Sequence, residues 1–298
     1  MATERELNKR IKSVKNISQV TSALAAVSAS KASRAQRRVG ATRDYASKAF
    51  EILNNLASQT EAVHPLLTVR EQINKTCLIL MTSDRGLAGA YNASMVSMAE
   101  NFIKALPTPV EVIAIGRKGR DLMIRRGYNV VAAYDDMPDP PSVLDISAIA
   151  RTVTEEYLSE KVDQVFIAYT EFQNLITRIP TVKQLLPLRP LDFEGMVVAD
   201  YVNTVDLTGV NERAYVYEPR PELLLDTVVP RFTQLQIYQC LLESLASEHS
   251  ARMVAMNNAT DNAGDLIEIL TLERNKARQE NITNEILDIV GGAEALSK

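Results

Sequence analysis

The sequence predicts an α/β chain. Two long helices at its ends pair as an antiparallel coiled coil, and between them sits a compact domain with a mostly parallel five-stranded sheet. Three observations carry this reading. All 12 prolines of the 298 residues lie between Pro65 and Pro230, while residues 1–64 hold only Gly40 and residues 231–290 only Gly264. Proline ends helices and glycine weakens them, so both ends read as long and uninterrupted. A heptad spacing runs through both ends, and the segment between them alternates strand-like and helix-like stretches. The chain divides as 1–64 (N-terminal coiled-coil helix), 65–220 (central domain with a connecting segment) and 221–298 (C-terminal coiled-coil helix).

The first helix shows its seam at Ile11, Val14, Ser18, Thr21, Ala25 and Ser28, and the same alternation of three and four continues from Ala32 to Leu56. Such a period makes a coiled-coil stripe. Most members are small, which permits close backbone approach and buries little area at each contact. A second stripe, Ile17, Val20, Leu24 and Val27, runs beside it and calls for a further cover. The last helix carries a weaker seam from Leu235 through Leu242, Ala246, Met253 and Thr260 to Leu270 and Ala277, interrupted by Gln239, His249 and Arg274. A final apolar stripe follows at Ile282, Ile286, Ile289, Ala293 and Leu296. Residues 1–60 carry 11 Lys+Arg against 4 Asp+Glu, net +7, and residues 221–298 carry 6 against 12, net -6. Opposite charge favours pairing of these two helices. It also argues against a nucleic-acid arm, because few aromatics accompany the basic residues.

In the middle, TCLILMTS, VEVIAIG, NVVAAY, VDQVFIAYTEF and LITRIPTVKQLLPL read as five strands, the last extended and proline-edged. Between them NASMVSMAENFIKAL, RKGRDLMIRRG and VLDISAIARTVTEEYL read as helices, the third capped by Ser142. Strands alternating with helices imply a Rossmann-like sheet covered on both faces. Residues 188–220 are turn-rich and polar and read as a link.

The stretch SDRGLAGAYN, residues 83–92, raises the question of a nucleotide site. It holds only G-x-x-G, where the dinucleotide fingerprint needs G-x-G-x-x-G and the P-loop needs G-x-x-x-x-G-K-[ST]. It therefore reads as a structural turn, shaped by Asp84 and Arg85. Cys77 and Cys240 read as buried free thiols, since two cysteines make neither a disulfide framework nor a zinc set. His64, before Pro65, reads as the end of a helix; Asp135 and Asp136 read as a solvated loop pair. With 46% hydrophobic and 23% charged residues, a net charge of -4, no secretory signal and no apolar run near the ~20 residues of a membrane span, the expectation is a soluble, intracellular chain. No cofactor is expected.

The run ARMVAMNNATDNAGDLIEILTLERNKARQENITNEILDIVGGAEAL, residues 251–296, closely resembles the C-terminal signature of the γ subunit of F-type ATP synthases. IKSVKNISQVTSAL, TSDRGLAGAYN and GRKGRD resemble that family's start and middle, in the family's order. The resemblance implies a non-catalytic central rotor shaft, coupling ion flow through a membrane ring to ATP synthesis or hydrolysis. Its implied partners are a hexamer of three α and three β subunits, the ε subunit and the c-ring, with no nucleic acid and only indirect membrane contact. No transit peptide precedes the match, which implies a bacterial chain, peripheral on the cytoplasmic face of the cell membrane. By motif, Arg252, Arg278, Gln279 and Thr283 carry over as rotor–stator coupling contacts; Lys31, Arg34, Arg37 and Arg38 remain as a basic N-terminal helix face. The stretch SALAAVSASKAS, residues 22–33, is smaller and less charged than the family's usual text. Residues 188–220 lack the cysteines of chloroplast relatives, so thiol control is not implied. The competing readings are a coiled-coil adaptor or tether with an α/β docking domain, and a nucleotide-dependent enzyme with a helical arm.

Overall fold

The computed structural model describes residues 3–59, 64–188 and 221–296; the predicted link at 188–220 lies almost wholly outside them. The elements are α1 (Glu4–Gln59), β1 (Thr76–Met81), α2 (Tyr91–Ala105), β2 (Val110–Ile115), α3 (Arg117–Arg125), β3 (Asn129–Tyr134), α4 (Val143–Leu158), β4 (Gln164–Phe172), β5 (Arg178–Leu186) and α5 (Pro221–Leu296). Contacts gather the chain into two compact units: residues 1–28 with 252–298, and residues 29–251. No described helix is long and apolar enough to cross a membrane.

In the larger unit the strand order is β3-β2-β1-β4-β5, with parallel ladders throughout except for the antiparallel β4–β5 hairpin. The predicted mostly parallel five-stranded sheet is therefore present. Its last strand begins at Arg178 because the Asn174 side chain accepts the Ile176 and Thr177 amides and makes the preceding residues a turn. β1 lies at the centre and is buried along its whole length. Its side chains alternate between faces. Leu78 and Leu80 pack with Met95, Val96 and Ala99 of α2 and Met123 of α3. Cys77, Ile79 and Met81 join the larger cluster with Ile146, Ile149 and Val153 of α4, Phe50, Leu53 and Leu56 of α1, and Val229 and Phe232 of α5. That double burial is why β1 reads as a continuous apolar run. Ser142 caps α4 as expected, in a reciprocal box with Asp145.

The two long helices run antiparallel in this unit. Ala35 clusters with Ala246, and farther along α1 Phe50 meets Phe232, farther back along α5, at 6.2 Å between ring centroids. α5 also grips the sheet. Thr170 on β4 faces Pro180 on β5, which has no N–H, and the pairing of β4 with β1 ends at Ala168. Ser244 Oγ accepts the Thr170 amide at 3.3 Å, and the Ser247 hydroxyl donates to the Thr170 carbonyl at 3.1 Å.

In the smaller unit, Leu7 and Ile11 bury against Leu270, with Val14, Ile267 and Ala277 around them. Farther along α1 the Thr21 and Thr260 hydroxyls meet at 2.7 Å. Rising numbers on α1 again meet falling numbers on α5, which is the antiparallel order. The small seam residues satisfy their hydroxyls on their own helix: Thr21 donates to the Ser18 carbonyl and Ser28 to the Leu24 carbonyl.

Several expectations need correction. The proline-free stretch at 231–290 is not the whole helix: α5 begins at Pro221, the predicted start of the C-terminal segment, and carries Pro230 inside it. Burial of Leu225, Val229 and Phe232 in the main core outweighs the hydrogen bond a proline removes. His64 does not end a helix. Its Nδ1 accepts the Leu66 amide at 3.1 Å and caps the 3₁₀ turn Pro65–Leu67. Gln239 and His249, which interrupt the seam, are buried. Both cysteines are free and buried, as expected, and burial pushes the Cys77 thiol up to about 12.

Candidate functional site

β1 ends between β2 and β4, at the point where the strand order reverses and where doubly wound folds place ligands. The amides at the start of α3 beside this point are already engaged. The first three amides of α3 bond to the end of β1: Arg117 to the Asp84 carboxylate at 3.0 Å, Lys118 to the Ser83 carbonyl at 3.0 Å, and Gly119 to Thr82 Oγ1 at 2.9 Å. At the start of α2, the Asn92 side chain turns back to accept the Ser83 amide at 3.0 Å, and the Tyr91 hydroxyl donates to the Ser244 carbonyl at 3.1 Å. The glycines of GRKGRD follow from the same approach. Gly116 has φ 96°, and a Cβ on it would stand 2.2 Å from the Thr82 carbonyl oxygen; one on Gly119 would stand 2.5 Å from Thr82 Oγ1. The motif therefore records how tightly α3 sits on β1.

The neighbouring acids are not simply solvated. Asp135 pairs with Arg120 and is mostly covered, while Asp136 stays exposed but pairs with Arg117 at 2.6 Å. Arg117 and Arg120 thus bind the end of β3 to α3.

The residues assigned to coupling lie on α5 in the smaller unit. Arg252 is half-buried. Arg278, Gln279 and Thr283 are exposed, and Thr283 Oγ1 donates to the Gln279 carbonyl at 2.9 Å. They stand on a stretch whose apolar residues Ile282, Ile286, Leu287 and Ile289 are also exposed, Ile289 at 71%.

The assigned basic face lies on α1 in the larger unit. Arg34, Arg37 and Arg38 are exposed, and Arg34 and Arg37 bond no farther than Ser30 and Ser33 on their own helix. Lys31 differs: its Nζ lies 2.6 Å from Asp139 Oδ2. His249 Nε2 lies 3.1 Å from the same oxygen, a close approach that lacks hydrogen-bond geometry. His249 and, next, Lys31 hold the Asp139 carboxyl well below the usual carboxylate range, against the opposing effect of burial. Sequence reasoning missed Asp139. Its signals were an acid set among Pro138, Pro140 and Pro141 in the β3–α4 loop, and a histidine interrupting an apolar seam.

The model of the ATP synthase family matches residues 3–296. The ATP synthase gamma chain of Roseiflexus castenholzii is 43% identical, with both chains covered in full. That of Moorella thermoacetica is 38% identical over 99% of this chain and all of its own. This chain belongs to the ATP synthase γ-chain family. The fold agrees with chains of solved ATP synthase assemblies at low identity. A chain of the Euglena gracilis mitochondrial ATP synthase, solved with OSCP, F1 and c-ring, aligns with TM-score 0.69 at 20% identity, covering 98% of this chain and 94% of its own. A chain of the Tetrahymena thermophila central stalk and c-ring aligns with TM-score 0.59 at 23% identity, covering 80% and 99%. In the γ-chain family setting, the capped turn after β1 and the glycines of α3 belong to the framework.

Proposed function

We propose that this chain is the central rotor shaft of a bacterial F-type ATP synthase, a non-catalytic subunit. Its helix pair turns inside a hexamer of three α and three β subunits, its α/β domain meets the ε subunit and the c-ring, and the whole lies on the cytoplasmic face of the cell membrane. Family membership over the full length favours this over an adaptor or a nucleotide-dependent enzyme. The observation that carries it is the end of α5, where Arg278, Gln279 and Thr283 stand exposed among exposed Ile282, Ile286 and Ile289. A run of large apolar residues left open marks a surface meant for a partner.

Arg278 and Gln279 are the contacts that distinguish one angular position from the next. A charge-assisted hydrogen bond contributes ~1.5–3 kcal/mol, which is small beside a large assembly interface. Placed on the barrier between positions, each ~1.4 kcal/mol is about tenfold in rate. Arg278→Ala with Gln279→Ala should therefore leave a tagged chain that copurifies with α and β while ATP turnover by the complex falls. Normal turnover makes these residues plain surface, and failure to assemble makes their role structural. A tagged wild-type chain that brings down no ATPase subunits, or an isolated chain that binds ATP at micromolar concentration in calorimetry, overturns the rotor reading itself.

A further inference from the structure

A shaft that carries torque needs directional links between its helices and the domain that drives them. Within residues 29–251, α1 meets the α/β domain mainly through apolar contacts of Ala35, Phe50, Leu53 and Leu56. Such contacts resist separation but have little directional preference. α5 adds hydrogen bonds to β4, to the start of α4 and to the loop before it: Gln234 Nε2 donates to the Val143 carbonyl at 2.8 Å, and the Tyr238 hydroxyl to the Pro141 carbonyl at 3.4 Å. At Asp139 one carboxylate oxygen reaches both long helices at once, Lys31 on α1 and His249 on α5. Its neighbours Pro138, Pro140 and Pro141 each fix φ and stiffen the loop that presents it. His249 is nearly closed off from solvent, so water competes little at that end of the link.

We infer that Asp139 is a positioning residue for torque: by bridging Lys31 and His249 it locks the angle of the helix pair against the α/β domain. The inference rests on the rotor reading. It assigns to the proline-rich loop the work of a key between shaft and hub. Because the loop continues into α4 through the Ser142 cap, a twisting force on the domain enters both helices through one charged point.

The test uses the whole complex, with the stator fixed and a bead attached through a cysteine placed on the exposed face of α2. Angular fluctuation of the bead reads torsional stiffness, and ATP-driven ion pumping is measured with hydrolysis on the same preparation. Asp139→Ala should give a loss of stiffness and a lower ratio of pumping to hydrolysis. Asp139→Glu, which keeps the charge, should restore both. Lys31→Gln combined with His249→Gln should match Asp139→Ala. Asp136→Ala, in the same loop but paired with α3, should leave both unchanged. If Asp139→Ala keeps wild-type stiffness and pumping ratio, or if Asp136→Ala loses as much, the inference is wrong. A wild-type complex that neither rotates nor pumps refutes the rotor reading instead.

Discussion

Phe50 and Val20 are apolar residues beside the same heptad stripe on the same helix, yet Phe50 is 2% exposed and Val20 58%. In the larger unit a third layer lies against the helix pair. The sheet and α4 bring Ile79, Ile149 and Val165 into one cluster with Phe50, Leu53 and Phe232. In the smaller unit, among the described residues, the two helices pack only on each other, and small residues such as Ala25 and Ala263 make up much of the seam. The difference teaches that one period serves two ends. Where a domain covers the pair, off-seam apolar residues build the core. Where no described residue covers it, Ile17, Val20 and Val27 stay exposed.

The sharpest way to break this comparison is Phe232→Ala. It removes a fully buried ring that meets Phe50, and such deletions cost about 3–5 kcal/mol. Guanidinium unfolding of the isolated chain should show a loss of that size. A loss below ~1 kcal/mol would mean that the third layer does not hold the helices.

Gly119→Ala probes the same layering from the far face of the sheet. The added Cβ meets Thr82 Oγ1 at 2.5 Å and Cγ2 at 2.7 Å, and overpacking of this kind costs about 1–3 kcal/mol. The midpoint of unfolding should fall accordingly. Replacing Thr82 by Ser in the same background removes the Cγ2 clash and should recover part of the loss.

Asp163 gives a pH-dependent test within the larger unit. Burial pushes its carboxyl up, but hydrogen bonds from Arg70 and from the Asn74 and Lys75 amides, with the charge of Arg70, outweigh it and leave the group below its ordinary value of 3.8. A folded-state value below the unfolded one stabilises at pH above 3.8, and that contribution is lost as pH falls through the folded value. Asp163→Asn should therefore be less stable than wild type at neutral pH, with the gap closing in acid. A gap that is constant with pH would remove the charge from the explanation.

The smallest effect is expected at Val20→Ala. An exposed side chain of the smaller unit should change the stability of the isolated chain by no more than ~0.5 kcal/mol. The same substitution should weaken assembly if partner subunits cover that face. A large loss in the isolated chain would show that the chain covers the stripe itself.

Much of the architecture was legible because it depends on short-range pattern. From Ile11 to Leu56 every seam position is buried or half-buried, as its spacing requires. The five strands and the Ser142 cap fall where alternation and capping chemistry put them, since period and caps act over a few residues. Glycine spacing also identified the turn after β1 as something other than a P-loop or a dinucleotide fingerprint.

What the tertiary structure decided are contacts between residues far apart in the chain. Pro230 stays inside a helix because distant core residues hold α5 in place. Asp135 finds Arg120 across the end of the sheet. The largest omission was Asp139, which is 108 residues from Lys31 and 110 from His249. No local period links such positions. An acid in a proline-rich loop is ordinary text until folding brings both long helices against it, and a buried histidine then shares its oxygen with a lysine.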